Sequence, residues 1–244
     1  MKKFSRVHCF FEQSGTFRDC FRKMGIESFD YDISNDYGKT DFQIDIFRKL
    51  FSWENSGIVP FHNISKDDLI IAFFPCIYFC QPSKTIFSFG YAQRLNWDLK
   101  KNKFWDNVIW RNRKRMEFFQ YLTLLVKYAV QNEIPLIIEN PYNNGQNYLL
   151  STFFKKPSFI DMDRSLHGDK LKKDTMFYFF NCTPGEWRNI YPYLGKLLKI
   201  QDLPQSKKAG KCSKERSEIS SIYAEHFIRD IILNENEIGQ CSLF

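Results

Sequence analysis

Two short, unbroken apolar runs constrain this chain more than any other feature: Leu69-Ile70-Ile71-Ala72-Phe73-Phe74 and Ile134-Pro135-Leu136-Ile137-Ile138. Neither shows a polar face, so each fits a central strand of a parallel sheet, covered on both sides. Pro135 is tolerated because it falls at the start of its run. Between the two lies a predicted helix, Arg115 to Val130, in which Phe119, Leu122, Val126 and Ala129 repeat at the helical period.

The N-terminal part has the same alternation. Val7 to Phe11 reads as a strand and Glu12-Gln13-Ser14-Gly15-Thr16 as a turn, and the helix that follows carries Phe17, Cys20, Phe21 and Met24 on one face. Gly25 closes it, and Ser28 to Ile33 is a second strand bearing Asp30 and Asp32 near its end. This is a βαβ unit. A short third strand is expected within Asp41 to Ile46 and an amphipathic helix over Phe47 to Trp53. Further on, helix is expected at Tyr148 to Phe154, strands at Phe159 to Met162 and Met176 to Phe180, and a closing helix over Ser217 to Leu233. The stretch from Ile77 to Asn112 is aromatic, basic and irregular, and reads as a long functional loop with room for a short helix. Residues 205–213 are linker-like.

The expected fold class is therefore α/β, a mostly parallel sheet with helices on both faces, as one domain over residues 1–244. At 43% hydrophobic content the 244 residues suffice for one packed core. The net charge of +7 is concentrated in Lys100, Lys101 and Lys103, in Arg111, Arg113, Lys114 and Arg115, and in Lys207, Lys208, Lys211 and Lys214. Such runs suit either a solvated face or an anionic partner. Seven cysteines, an odd number, without a recognisable signal peptide imply reduced thiols in a cytoplasmic protein. No apolar run reaches the roughly 20 residues needed to cross a bilayer.

Open parallel sheets bind ligands beyond the carboxyl ends of their strands. The residues there are the Glu12 to Thr16 turn, Asp30 and Asp32, Pro75-Cys76, and Glu139-Asn140-Pro141. Each also fits a plain structural role: a cysteine is commonly an inert small apolar group, and a strand-end glutamate can cap a helix or pair with a lysine. A cysteine exposed to a cleft can serve as a nucleophile, and a glutamate desolvated by apolar walls can donate a proton near neutral pH.

Taken in order, the turn, the acid, the Phe74-Pro75-Cys76 motif and the Glu139-Asn140-Pro141 motif resemble the S-adenosylmethionine-dependent cytosine-5 DNA methyltransferases, especially short phage and prophage members. The resemblance implies a class I methyltransferase sheet with S-adenosyl-L-methionine held by Phe11, Glu12, Ser14, Gly15, Thr16, Asp32, Asp45 and Pro75. It implies Cys76 as nucleophile and Glu139 as acid, with Asn140, Pro141, Lys172 and Lys173 toward the substrate, DNA. Gly168 to Phe180 is similar to the family's basic segment before the seventh strand, and Arg216 to His226 to its closing helix. Phe-Pro-Cys stands where the family has Pro-Pro-Cys, Gln13 stands where glycine is frequent, and the residues after Phe180 are too few for the usual target-recognition domain. A protein partner supplying recognition is one consequence; no metal is implied. Two alternatives are a methyltransferase fold that binds nucleic acid or protein without catalysis, and an amino-methyltransferase that uses Asn140-Pro141-Tyr142.

Overall fold

A computed structural model describes residues 3–79, 102–142, 148–198, 203 and 218–234. Residues 80–101 of the anticipated loop, including Cys80 and the Lys100-Lys101 pair, and the linker-like 205–213 lie outside this set, as do Lys207, Lys208, Lys211, Lys214, Arg216 and Ser217.

The chain forms β1 (Arg6–Phe10), α1 (Thr16–Lys23), β2 (Glu27–Asp32), β3 (Phe42–Gln43), α2 (Ile46–Ser56), β4 (Leu69–Phe73), α3 (Asn102–Gln131), β5 (Leu136–Pro141), α4 (Tyr148–Thr152), β6 (Phe159–Asp161), a 3-10 turn (Arg164–His167), β7 (Thr175–Phe180) and α5 (Ser221–Phe227), continued by one π-helical segment (Ile228–Leu233). The strands build a seven-stranded sheet in the order β3-β2-β1-β4-β5-β7-β6. β3, β2, β1, β4 and β5 pair in parallel, and β7 runs antiparallel to both of its neighbours. The strand order turns at β1 and β4, the switch point where α/β sheets open a crevice.

Alternation along the central strands divides the core in two. Phe10, Ile70, Ala72, Leu136 and Ile138 face the layer of α2, α3 and α4, joined by Leu50, Leu122, Leu125, Ala129 and Leu149. Val7, Cys9, Leu69, Ile71 and Ile137 face α1 and α5, with Phe17, Phe21, Tyr223 and Phe227. Both faces are apolar because both are covered, so β4 and β5 read as continuous hydrophobic runs. Phe177 is fully buried in β7 and stacks on Phe227 at 4.3 Å between ring centroids, fastening α5 to the sheet.

Several boundaries differ from the sequence reading. The irregular stretch was expected to run to Asn112, but α3 begins at Asn102. None of the residues from Trp105 to Lys114 is buried, so apolar periodicity, the signal used to find helices, is missing there although the backbone is helical. The third strand shrinks to two residues because Asp45 caps α2, its side chain accepting from the N–H of Arg48 at 3.0 Å. β5 extends through Glu139 and Asn140 to Pro141, since β7 offers a partner for every one of those positions. The closing helix starts with Ser220 as its cap, and α4 stops at Thr152. No helix of the described residues is long and apolar enough to cross a membrane.

Phe177→Ala, which empties the contact between sheet and α5, is expected to cost about 3–5 kcal/mol of stability. An unfolding free energy from urea titration lowered by less than a third of that would show that the site collapses around the deletion.

Candidate active site

Beyond the carboxyl ends of β1, β2, β4 and β5 lies a cavity of about 480 Å³. It is lined by Phe11, Glu12, Ser14 and Thr16 from the turn after β1, by Asp32 at the end of β2, by Asp45 before α2, by Pro75 and Cys76 after β4, and by Glu139 and Pro141 on β5. Lys173, ahead of β7, completes this set. Gly15, Asn140 and Lys172, which the sequence reading grouped with them, are not on the wall.

Each of those three has a different position in the fold. Gly15 sits before α1 with φ of +69°, and a Cβ there would lie 2.3 Å from the guanidinium of Arg18. Its lack of a side chain makes room for Arg18, which is buried and pairs with Asp30 and with Asp19, each at 2.8 Å. Asp30 is thus consumed inside the fold, whereas Asp32 is the β2 carboxylate that reaches the cavity. Asn140 is fully buried, and its amide donates to the carbonyl oxygen of Phe74 at 3.3 Å. That bond ties the residue after Glu139 to the segment that presents Cys76. Lys172 points outward, with its Nζ 3.3 Å from Asp163.

The register of the two central strands brings the two candidate catalytic groups to one end of the sheet. Phe73 pairs with Glu139, so Cys76 emerges three positions beyond the level of the glutamate. Cys76 is partly exposed and its carbonyl accepts from the N–H of Phe79 at 2.9 Å, which turns the chain back at the cavity edge. Burial raises the pKa of Glu139 above the usual carboxylate range, and Lys173 and Arg164 pull it partly back.

Glu12 has a double part. Its Oε1 accepts from the N–H of Phe17 at 2.8 Å and its Oε2 from that of Arg18 at 3.3 Å, so it satisfies the open N-terminus of α1 while lining the cavity. Burial raises its pKa to about 7 despite those two bonds. Asp32 is raised in the same way by burial, and its Oδ1 accepts from Ser34 N–H at 2.7 Å.

The lining also includes Asp36 and Glu218, so six carboxylates (Glu12, Asp32, Asp36, Asp45, Glu139, Glu218) face one lysine among the described residues. Even with Glu12 and Glu139 protonated, Asp32, Asp36, Asp45 and Glu218 remain against Lys173, and such a wall disfavours a phosphate-rich ligand and suits one that carries positive charge. Phe11, Phe47, Phe74 and Phe118 supply flat apolar surface, with Phe11–Phe47 and Phe11–Phe74 centroids 5.1 and 5.5 Å apart. No group of three or more His, Cys, Asp or Glu side chains among the described residues is placed to hold a metal ion.

Sequence reasoning missed two buried arginines. Arg18 had a signal: Ser28, Asp30 and Asp32 alternate on the buried side of β2, and a buried carboxylate demands a cation. Arg164 had none. It is fully buried in the turn after β6, lies 2.8 Å from Asp169 and donates to the carbonyl of Glu218 at 3.2 Å, anchoring the C-terminal side of the cavity.

No protein-family model matches this chain, and no curated protein matches it.

Two buried titrations, of Glu12 beyond the carboxyl end of β1 and of His8 within that strand, oppose each other in the stability of the fold. Glu12, raised from 4.5 to about 7, binds its proton more tightly when folded, so its contribution falls as pH rises across that window. His8, lowered by burial from 6.5 to about 4, excludes its proton when folded, so its contribution rises over nearly the same window. Glu12→Gln removes the first. The variant's stability relative to the parent is expected to rise by about 3 kcal/mol between pH 4.5 and 7, read as the difference between two urea-denaturation profiles; parallel profiles would show that Glu12 does not titrate there.

Proposed function

We propose that the protein transfers a methyl group from S-adenosylmethionine to carbon 5 of cytosine in DNA, with Cys76 as nucleophile and Glu139 as acid. The observation that carries the reading is a single cavity shared by the turn after β1, Asp32, Pro75-Cys76 and Glu139. The doubly wound, mostly parallel sheet is compatible with the class I methyltransferase architecture this reading needs.

The cavity chemistry fits the cofactor. S-adenosylmethionine supplies, when bound, a methyl group on a positively charged sulfur, and the acidic wall favours that charge. The Phe11 to Thr16 turn and Asp45 would hold the methionine portion, Asp32 the ribose hydroxyls, and Phe11 and Phe47 apolar parts of the ligand. On the other side, the Cys76 thiolate forms a bond to carbon 6 of the cytosine while the Glu139 carboxyl gives its proton to ring nitrogen 3. The electrons displaced from the 5,6 double bond make carbon 5 nucleophilic, and it takes the methyl group as the bond from methyl to sulfur breaks, the sulfur keeping the electron pair and leaving as a neutral thioether. Loss of the carbon 5 proton to solvent re-forms the double bond, expels the cysteine sulfur with its electron pair, and lets nitrogen 3 return its proton to Glu139. A cytosine in a duplex must leave the base stack to reach these groups. Asn140, tied to Phe74, would keep the distance between the two catalytic segments fixed.

A second reading, a methyltransferase fold that binds without catalysis, rests on Gln13. Its Oε1 accepts from the N–H of Asp36 at 3.3 Å, so a side chain crosses the part of the cavity assigned to the cofactor. The amino-methyltransferase alternative is disfavoured, because the Asn140 side chain is buried, donates to the carbonyl of Phe74 and is not on the cavity wall.

Calorimetric titration with S-adenosylmethionine decides between the first two: heat of binding is expected, and its absence would favour the non-catalytic reading. With tritiated cofactor and cytosine-containing duplex DNA, Cys76→Ala is expected to reduce transfer to background, and full activity in that variant would overturn the assignment. Glu139→Gln is expected to lose roughly 100-fold or more. Because burial raises the Glu139 pKa, the parent's rate should decline as pH rises through that value, and the glutamine variant should lack this limb.

A further inference from the structure

The N-terminus of α1 is closed by a side chain of the protein itself. A helix that follows a strand of an α/β sheet can offer its free N–H groups to an anionic part of a ligand. Here the Glu12 carboxylate takes that place: Oε1 accepts from the N–H of Phe17 and Oε2 from that of Arg18. The thiol of Cys9 on β1 donates to it as well. Glu12 is only 6% exposed, yet it lines the cavity. An anionic ligand group therefore finds this helix end already filled, whereas a cationic group finds a carboxylate held in place to meet it.

Among the described residues, no cationic side chain of the protein pairs with that carboxylate. The guanidinium of Arg18 on α1 is committed to Asp30 and Asp19, at 2.8 Å each. Asp30 on β2 and Cys20 on α1 are within electrostatic reach of Glu12, and neither supplies positive charge. Elsewhere on the wall stand Asp32, Asp36, Asp45, Glu139 and Glu218, with Lys173 as their single cation among the described residues. Burial in these surroundings raises the pKa of Glu12 to about 7. A positive charge brought to the carboxylate would favour the ionised form and release the proton.

We propose that Glu12 is the receptor for the ammonium group on the methionine arm of S-adenosylmethionine, and that its carboxyl group gives a proton to solvent as the cofactor binds. The inference rests on the cofactor proposed above and extends it by naming which of its charges is read, and by which residue. The sulfonium has to face the cytosine on the side of Cys76 and Glu139, which leaves the amino-acid end of the cofactor for the turn after β1. The Glu12 O–H bond breaks, the proton passes to water, and carboxylate and ammonium form an ion pair. Only the ionised form of Glu12 is competent for this, so the apparent dissociation constant is the intrinsic one divided by the ionised fraction. With a pKa of about 7, that fraction is about one half at pH 7.0 and about 3% at pH 5.5. The ammonium of the free cofactor, an α-amino group with a pKa of about 8, stays charged at both.

The test is calorimetric titration of the full chain with S-adenosylmethionine at pH 7.0 and pH 5.5, each in two buffers of different ionisation enthalpy. For the parent, the dissociation constant is expected to rise about tenfold or more at the lower pH, with about half a proton released per cofactor bound at pH 7.0 and close to one at pH 5.5. S-adenosylhomocysteine, which keeps the ammonium and lacks the sulfonium, should release the same amount. Burial raises Asp32 and Glu139 as well, so Glu12→Gln makes the assignment. That variant should bind at the two pH values with affinities within about twofold of each other, and about as weakly as the parent at pH 5.5. Its amide oxygen can still accept from Phe17 N–H, and a circular dichroism spectrum matching the parent's is expected. Cofactor binding by the parent without proton release, a folded variant that keeps the pH dependence, or release with S-adenosylmethionine but not with S-adenosylhomocysteine would each overturn the proposal and leave the cofactor reading standing. Absence of cofactor binding by the parent at both pH values would remove the two together.

Discussion

The parallel pairing of β4 with β5 is the constraint on which everything at the candidate site depends. Phe73 opposite Glu139 fixes how far the glutamate and the Pro75-Cys76 segment extend past the sheet. Both strands are covered on two faces by different helices, so a slip of one residue would send Ile70, Ala72, Leu136 and Ile138 into the layer shaped for Leu69, Ile71 and Ile137. The register is held by two cores at once. The bond from Asn140 to the Phe74 carbonyl then carries that register one step beyond the ladder, to the segment that presents Cys76.

Charge is distributed with the same economy. Around the cavity, carboxylates outnumber cations among the described residues, and two buried carboxylates that do not face it are paired internally, Asp30 with Arg18 and Asp169 with Arg164. Both arginines are buried, so each pair is costly to break and makes its turn rigid. Glu12 is neutralised differently, by proton uptake near neutral pH and by the amides of α1. Among the described residues, Arg111, Arg113, Lys114 and Arg115 of α3 lie in sequence just ahead of Phe118, which lines the cavity.

Most of the sheet was legible because its cause is local. The runs at Leu69 to Phe73 and Leu136 to Ile138, the period of Leu122, Val126 and Ala129, and the glycine at Gly25 each identify an element without reference to the rest of the chain. The first half of α3 was not legible, because none of its residues from Trp105 to Glu117 is buried and that stretch carries no periodic signal. The roles of Glu12 and Asp45 as helix caps were equally hidden, since both were read as ligand groups and their backbone partners are known only once the chain has turned.

By itself the sequence determined the α/β class, the order of the main elements and the strand-end positions of Cys76 and Glu139, since hydrophobic periodicity and turn residues act over a few positions. Only the tertiary structure decided that these residues share one cavity, that Asp32 and not Asp30 reaches it, and that Gly15 serves Arg18. Those outcomes depend on pairing register and on which buried charge finds a partner, and neither of these is a property of any short stretch of chain.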